Sequence, residues 1–250
     1  VNSKTFIIAP DLHFPKVSWS TWKALLSYVK HNPVSGFIFL GDQFDNHDIS
    51  HHTDGKPGQR VKGRFALDEA EFEAQILTPI EQLLPKDCVK VWIEGNHDQW
   101  ANDLGDKYPE LIGKFNRPEN LHLSKRGWKV LPMGKTFKYG KLFYAHGESI
   151  TTQYHAKKAV ETFCRNLVYG HFHSPQSWTK VLPHDETQKW MAYCLPILGK
   201  TNPDYLENRP TSWINGFGIV EYHGNENSFN LYPIICTNGR FSFGGKVYPR

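Results

Sequence analysis

The chain has 250 residues, of which 39% are hydrophobic and 14% aromatic, enough for a sizeable core and too many for an intrinsically disordered protein. No apolar run reaches the ~18 residues of a helical membrane span, and Val1 to Pro10 lacks the basic start and apolar stretch of a signal peptide. The net charge of +4 is uneven: residues 126–250 carry 15 basic and 8 acidic side chains, against 14 and 17 before them, which permits an anionic partner without requiring one.

In chain order, Thr5–Ala9 reads as a buried strand that stops at Pro10-Asp11. Ser18 is placed to cap a helix running to about His31, with Trp22, Leu25, Leu26 and Val29 on one face. Gly36–Leu40 is a second strand, breaking at Gly41-Asp42. A polar loop over 41–64 follows, then a helix from about Phe65 to Leu84, kinked at Pro79. Cys88–Glu94 is a third strand, ending at Gly95-Asn96. This β-α-β-α-β order implies a parallel sheet with crossover helices.

The second half is richer in strands. Thr136–Tyr139 and Lys141–Ala145 read as a hairpin around Gly140, Tyr154–Cys164 as a helix and Asn166–Tyr169 as a strand. Trp178–Leu182 and Gln188–Tyr193 form a further hairpin around His184-Asp185-Glu186, and 217–222, 229–235 and 241–248 are closing strands. The hairpins beyond residue 174 are expected to complete a second sheet. No linker divides the chain, so residues 1–250 read as a single domain. Cys88, Cys164, Cys194 and Cys236 lie far apart without a Cys-x-x-Cys pair, which excludes a zinc ribbon or a disulfide scaffold; each reads as a small buried residue in a reducing, cytoplasmic setting.

The chemistry concentrates in five clusters, each directly after a predicted strand: Asp11-Leu12-His13, Gly41-Asp42-Gln43-Phe44-Asp45, Gly95-Asn96-His97-Asp98, Ala145-His146-Gly147 and Gly170-His171-Phe172-His173. Strand carboxyl ends are where open α/β sheets bind ligands. In an extended Asp-x-His or His-x-His, residues i and i+2 point the same way and can share one metal. Mixed imidazole and carboxylate ligation suits Mn²⁺, Fe²⁺ or Zn²⁺ rather than Ca²⁺. Each cluster alone also fits ordinary turn chemistry, and Asp98 also reads as a turn or helix cap; the five in this order are what single the site out.

These motifs resemble the calcineurin-like metallophosphoesterase superfamily, and Gly41 to Asp45 followed by Ile49-Ser50 is most similar to its DNA-repair exonuclease branch. The resemblance implies a four-layer α/β/β/α sandwich of two mixed sheets, with the metal site at the strand carboxyl ends. It implies two divalent ions, Mn²⁺ first and Fe²⁺ or Zn²⁺ as alternatives. Asp11, His13 and His173 would hold one, Asn96, His146 and His171 the other, and Asp42 would bridge them. His97 would stand beside the metals as general acid, its ring fixed by a hydrogen bond to Asp45, while a hydroxide shared by the metals attacks phosphorus.

Asn46 stands where the protein phosphatases of this superfamily carry an Arg, which turns the expectation toward phosphodiesters, DNA, RNA or nucleotides among them. A phosphomonoesterase or nucleotide pyrophosphatase on the same metals is the alternative, and a non-catalytic scaffold the third reading. His47, Asp48, His51, His52, Lys56, Arg60, Lys62 and Arg64 would form a solvated loop or a substrate flap. Phe14, Phe44, Trp100, Phe172 and Trp178 are candidates for core packing or base stacking, and Lys157 and Lys158 for a solvent-facing helix surface. Oligomeric state is left open.

Overall fold

A computed structural model describes residues 3–50, 53, 64–207, 209–224, 226 and 228–250; the side chains of 64–67 and 186 lie outside that description. The strands β1 (Lys4–Ala9), β2 (Gly36–Leu40), β3 (Val89–Ile93) and β4 (Trp128–Leu131) pair in parallel. Beyond β1 the sheet is extended by the antiparallel strands β10 (Gly216–His223) and β11 (Ser228–Ile235), giving the order β11-β10-β1-β2-β3-β4. A second sheet runs β5-β6-β7-β9-β8, from β5 (Phe137–Tyr139), β6 (Leu142–Ala145), β7 (Asn166–Tyr169), β8 (Gln176–Leu182) and β9 (Asp185–Cys194).

Strand periodicity sorts the core into three. Ile7, Phe37, Phe39 and Trp92 face the helix α1 (Trp19–His31), through Trp22, Leu25 and Val29. Their neighbours Phe6, Ile8, Ile38, Leu40, Val91 and Ile93 point the other way, onto Leu142, Tyr144 and Val168 of the second sheet. Leu167, Tyr169, Ala192 and Cys194 cover that sheet's far face against Ala159 and Val160 of α6 (His155–Phe163). Period-two burial therefore sorts the core between two mixed sheets and the helices against them, the mixed α/β class expected from the motifs. Truncating any of the fully buried aromatics here would cost about 3–5 kcal/mol.

Several elements depart from expectation. The helix over 65–84 is α2 (Arg64–Phe72), a π-helical turn over Glu73–Leu77 and α3 (Thr78–Glu81). The register widens ahead of Pro79, whose ring and missing N–H conflict with an α-helical bond to the carbonyl four residues back. α4 (Asn96–Lys107), α5 (Arg117–Asn120) and β4 lack a strong sequence signal; α4 is mostly polar and offers only Ala101 and Gly105 to the interior beyond its first turn.

The closing strands split between sheets. β10 and β11 join the first, not the second, and 241–248 is a separate hairpin of β12 (Phe241–Phe243) and β13 (Lys246–Tyr248). Ser18 is the N-cap of α1, but its hydroxyl meets the Thr21 hydroxyl at 2.9 Å and the Asn215 amide at 3.3 Å rather than a helix N–H. All four cysteines are free; Cys164 alone is exposed. No helix of the described residues is long and apolar enough to cross a membrane.

Candidate metal centre

The five clusters converge at the carboxyl ends of five parallel strands, β1, β2 and β3 from one sheet and β6 and β7 from the other. The chain must turn sharply there. Asp11, His13, Asp42, His171 and His173 all have positive φ, between 47° and 72°, a region that costs non-glycine residues energy and persists only where surroundings enforce it. Main-chain bonds do so: Asp11 N–H donates to Gly41 at 3.1 Å, His13 N–H to Asp42 at 2.9 Å, and Gly199 N–H to Asp11 at 2.9 Å. Gly95 is needed for space, since a Cβ there would stand 2.1 Å from Asp42 Oδ1.

Asp98 ties two of these loops together. Its carboxylate accepts from Gly95 N–H at 2.9 Å, capping α4, and from Phe44 N–H at 3.1 Å. Both its turn-orienting and its capping readings are therefore met by one side chain.

Two ligand clusters share Asp42. In the first, one atom each from Asp11, His13, Asp42 and His173 lies within 4.8 Å of the others; in the second the same holds for Asp42, His146 and His171. His13 Nε2 is 3.1 Å from His173 Nε2, which stands 3.4 Å from Asp11 Oδ1. Across Asp42, His146 Nε2 lies 3.2 Å from the Asp42 carboxylate, 3.1 Å from Asn96 Oδ1 and 3.3 Å from His171 Nδ1. All seven residues expected as ligands are thus brought together.

The rings are aimed by what they touch behind. His146 donates from Nδ1 to the Leu40 carbonyl at 3.0 Å, which turns Nε2 inward. His13 donates from Nδ1 to Asp45 Oδ1 at 3.2 Å, and the other Asp45 oxygen accepts from Lys16 Nζ at 2.6 Å. Here the expectation for Asp45 is corrected. Its carboxylate is engaged by His13 and Lys16; what holds the His97 ring is the Asp45 main-chain carbonyl, which accepts from His97 Nδ1. His97 also donates its main-chain N–H to Asp42 Oδ1 at 2.9 Å, and its Nε2 lies 4.0 Å from Asp42 Oδ2.

The electrostatics show a site short of positive charge. Burial alone would lower the His146 imidazole, but Asp42 and Asp11 outweigh it and hold it at about 10. Burial would likewise raise Asp42, yet the surrounding imidazoles keep it well below the usual carboxylate range. Burial pushes His97 down to about 4, with Asp42 pulling the other way. Two buried carboxylates therefore hold a proton on His146, where a divalent cation would satisfy the same oxygens and the converging ring nitrogens together. The donor set of carboxylate, imidazole and amide oxygen fits a divalent cation.

The rim carries residues that no sequence signal marked. Trp213 stands edge-on to His173, with ring centroids 4.3 Å apart, and Tyr205 stacks on His47 at 4.4 Å beneath the Lys16 ammonium. Of the expected stacking residues, Trp100 packs on His97 at 3.9 Å, whereas Phe14 and Phe44 are core. Phe172 stacks on His155 at 3.9 Å, and exposed Trp178 lies beside Lys157 on the outer edge of the second sheet. Asn46 is spent on the His97 carbonyl and the buried Arg117 guanidinium. His51, His52, Lys56, Arg60 and Lys62, and the side chain of Arg64, lie outside the described residues.

A family model for calcineurin-like phosphoesterases matches residues 4–216. A comparison with curated proteins finds no match. Among solved structures, the chain is similar to Vacuolar Protein Sorting 29 from Cryptosporidium parvum, at 12% identity over 98% of this chain and 94% of that one, with a TM-score of 0.47. It is also similar to zinc-complexed Vps29 from Entamoeba histolytica, at 11% identity over 95% and 96%, TM-score 0.48. A metallophosphoesterase from Sphaerobacter thermophilus aligns at 15% identity over 92% and 88%, TM-score 0.45.

Proposed function

The chain belongs to the calcineurin-like phosphoesterase family, and from that premise we propose that it is a two-metal phosphodiesterase acting on nucleic acid or nucleotides. The observation that carries this reading is the pair of ligand clusters joined through Asp42, with His97 held beside them and outside both. Asp11, His13, His173 and Asp42 would hold one ion, and Asn96, His146, His171 and Asp42 the other, with Mn²⁺ favoured by the mixed ligand set. When bound, two such ions supply Lewis acidity and a nucleophile at neutral pH.

The side chains divide the remaining work. With Nδ1 committed to the Asp45 carbonyl, His97 presents Nε2 toward Asp42, 4.0 Å from its Oδ2, the position from which a proton can pass to a departing alkoxide. Burial favours the neutral ring in the free protein; an anionic phosphate beside it favours its charged form. Asp42 fixes the His97 main chain as well as both clusters, so general acid and ligands share one reference point. Trp213, half-buried at the rim beside His173, supports a base-bearing substrate, since a stacked base is worth about 1–3 kcal/mol. Asn46, engaged internally, offers no guanidinium to a phosphomonoester.

The test is hydrolysis of bis(p-nitrophenyl) phosphate by metal-stripped protein with and without Mn²⁺. Turnover that requires Mn²⁺, and that falls by about 10²–10⁴ in His97→Ala on substrates with poor leaving groups, is the expected result. Full activity in His97→Ala on such substrates would overturn the assigned acid.

A further inference from the structure

A cavity of about 550 Å³ opens at the same edge of the first sheet as the ligand clusters, next along from them, against β4 and the end of β3. Glu94 lines it and is only 8% exposed. Its carboxylate makes no hydrogen bond or ion pair with any described residue; its nearest electrostatic neighbour is another acid, Asp98. The cavity that Glu94 lines leaves room there for a ligand's donor.

The rest of the lining defines the donor. Asn102 of α4 and Asn116 ahead of α5 contribute amides. The Asn116 carbonyl oxygen is taken by Glu119 N–H at 3.4 Å, which leaves its NH₂ group to donate elsewhere. Pro118 and Val130 add apolar surface, and exposed Lys125 adds a cation. An acceptor and amide donors, with apolar surface in the same cavity, complement a flat heterocycle whose amino group adjoins ring acceptors. Cytosine has that edge. Uracil has a carbonyl in place of the amino group and, at pH 8.5, where Glu94 is ionised although burial pushes it up to about 7, would set oxygen against the carboxylate. The volume also suits a nucleoside.

We propose that this cavity is a base-binding subsite that selects an amino-bearing nucleobase, with Glu94 as the specificity-determining group. The proposal rests on the phosphodiesterase reading for what the base is attached to. Glu94 stands two residues before Asn96, and α4 carries both Asn96 and Asn102, so one strand-to-helix turn serves both the ligand cluster and the subsite.

The experiment has two arms, both on the full chain. Calorimetric titration of metal-free protein with CMP and with UMP at pH 8.5 reads the subsite alone. The p-nitrophenyl esters of the same two nucleotides, with Mn²⁺, read kcat/KM. The expected result is a preference for cytosine of about 10-fold or more in both arms, lost in Glu94→Gln, whose amide can donate to the uracil carbonyl. Asn102→Ala, at an exposed position, should weaken CMP binding without loss of folding. Equal affinity for CMP and UMP, or a preference that survives Glu94→Gln, overturns the proposal. Selective CMP binding without turnover of any ester, bis(p-nitrophenyl) phosphate included, upholds the subsite and sinks the phosphodiesterase reading. Turnover of that diester without base preference does the reverse.

Discussion

Replacing Asp45 by Asn separates two accounts of this site. The side chain keeps its volume and can still accept from His13 Nδ1, but it loses the charge that the Lys16 ammonium meets at 2.6 Å and the His13 ring at 3.2 Å. Removing the partner that orients a ligand imidazole typically costs 10–100-fold in metal affinity, or about 1.4–2.8 kcal/mol. His97 should be spared, because its ring is held by a main-chain carbonyl that the substitution leaves in place. Calorimetric titration of the metal-stripped variant with Mn²⁺ should show one weakened site, that of His13, and one nearly unchanged. With saturating metal, the ratio of rates on good and poor leaving groups should match the unmodified protein. The reasoning fails if Mn²⁺ affinity is unaltered while rates on poor leaving groups fall in parallel with His97→Ala; Asp45 would then act through His97 after all.

Three further outcomes are expected. Asp98→Ala removes the acceptor of Gly95 and Phe44 N–H groups and should cost about 2–4 kcal/mol, read as a lower urea midpoint at constant slope. Gly95→Ala pushes a methyl into Asp42, so both Mn²⁺ sites should be lost by titration while far-ultraviolet circular dichroism stays native; retained binding would show that the turn yields. His155 is pushed down to about 4 by burial and by nearby His171. Below its unfolded value near 6.5 the unfolded imidazole takes a proton that the folded one refuses, so its contribution is full above about 6.5 and is lost as pH falls toward 4. This is at most about 3 kcal/mol; His155→Phe should flatten stability against pH over that window, and an unchanged slope would exclude the group.

The parts of the site that follow strand ends were legible in the sequence because parallel strands deliver their carboxyl ends to one edge. Asp11, Asp42, Asn96, His146 and His171 needed only the strands before them and the glycines beside them. Contacts made by direction rather than position were not legible. Nothing in Gly41 to Asp45 says that the Asp45 carboxylate turns to His13 and its carbonyl to His97. Tyr205 and Trp213 sit in an aperiodic stretch between β9 and β10, whose path over the site is set by tertiary packing. α4 went unread because its first turn is the motif itself, and polar ligands replace the apolar stripe that marks a helix. The assignment of β10 to the first sheet was equally hidden, since its alternation is the same on either sheet.

The centre is built across the seam between two sheets: three of its loops leave one, two leave the other, and Asp42 touches both groups. Away from this edge, the sheets meet through a buried apolar interlayer crossed by polar ties, Tyr144 to Tyr222 and Tyr139 to Lys4 and Glu226. Ions gripped from both sides would rivet the layers at one end, and their binding energy would appear as resistance to shear as well as to melting. Conversely, the relative placement of the two sheets sets the spacing of the ligand loops. In this design, the rigidity of the sandwich and the readiness of its chemistry are the same mechanical quantity.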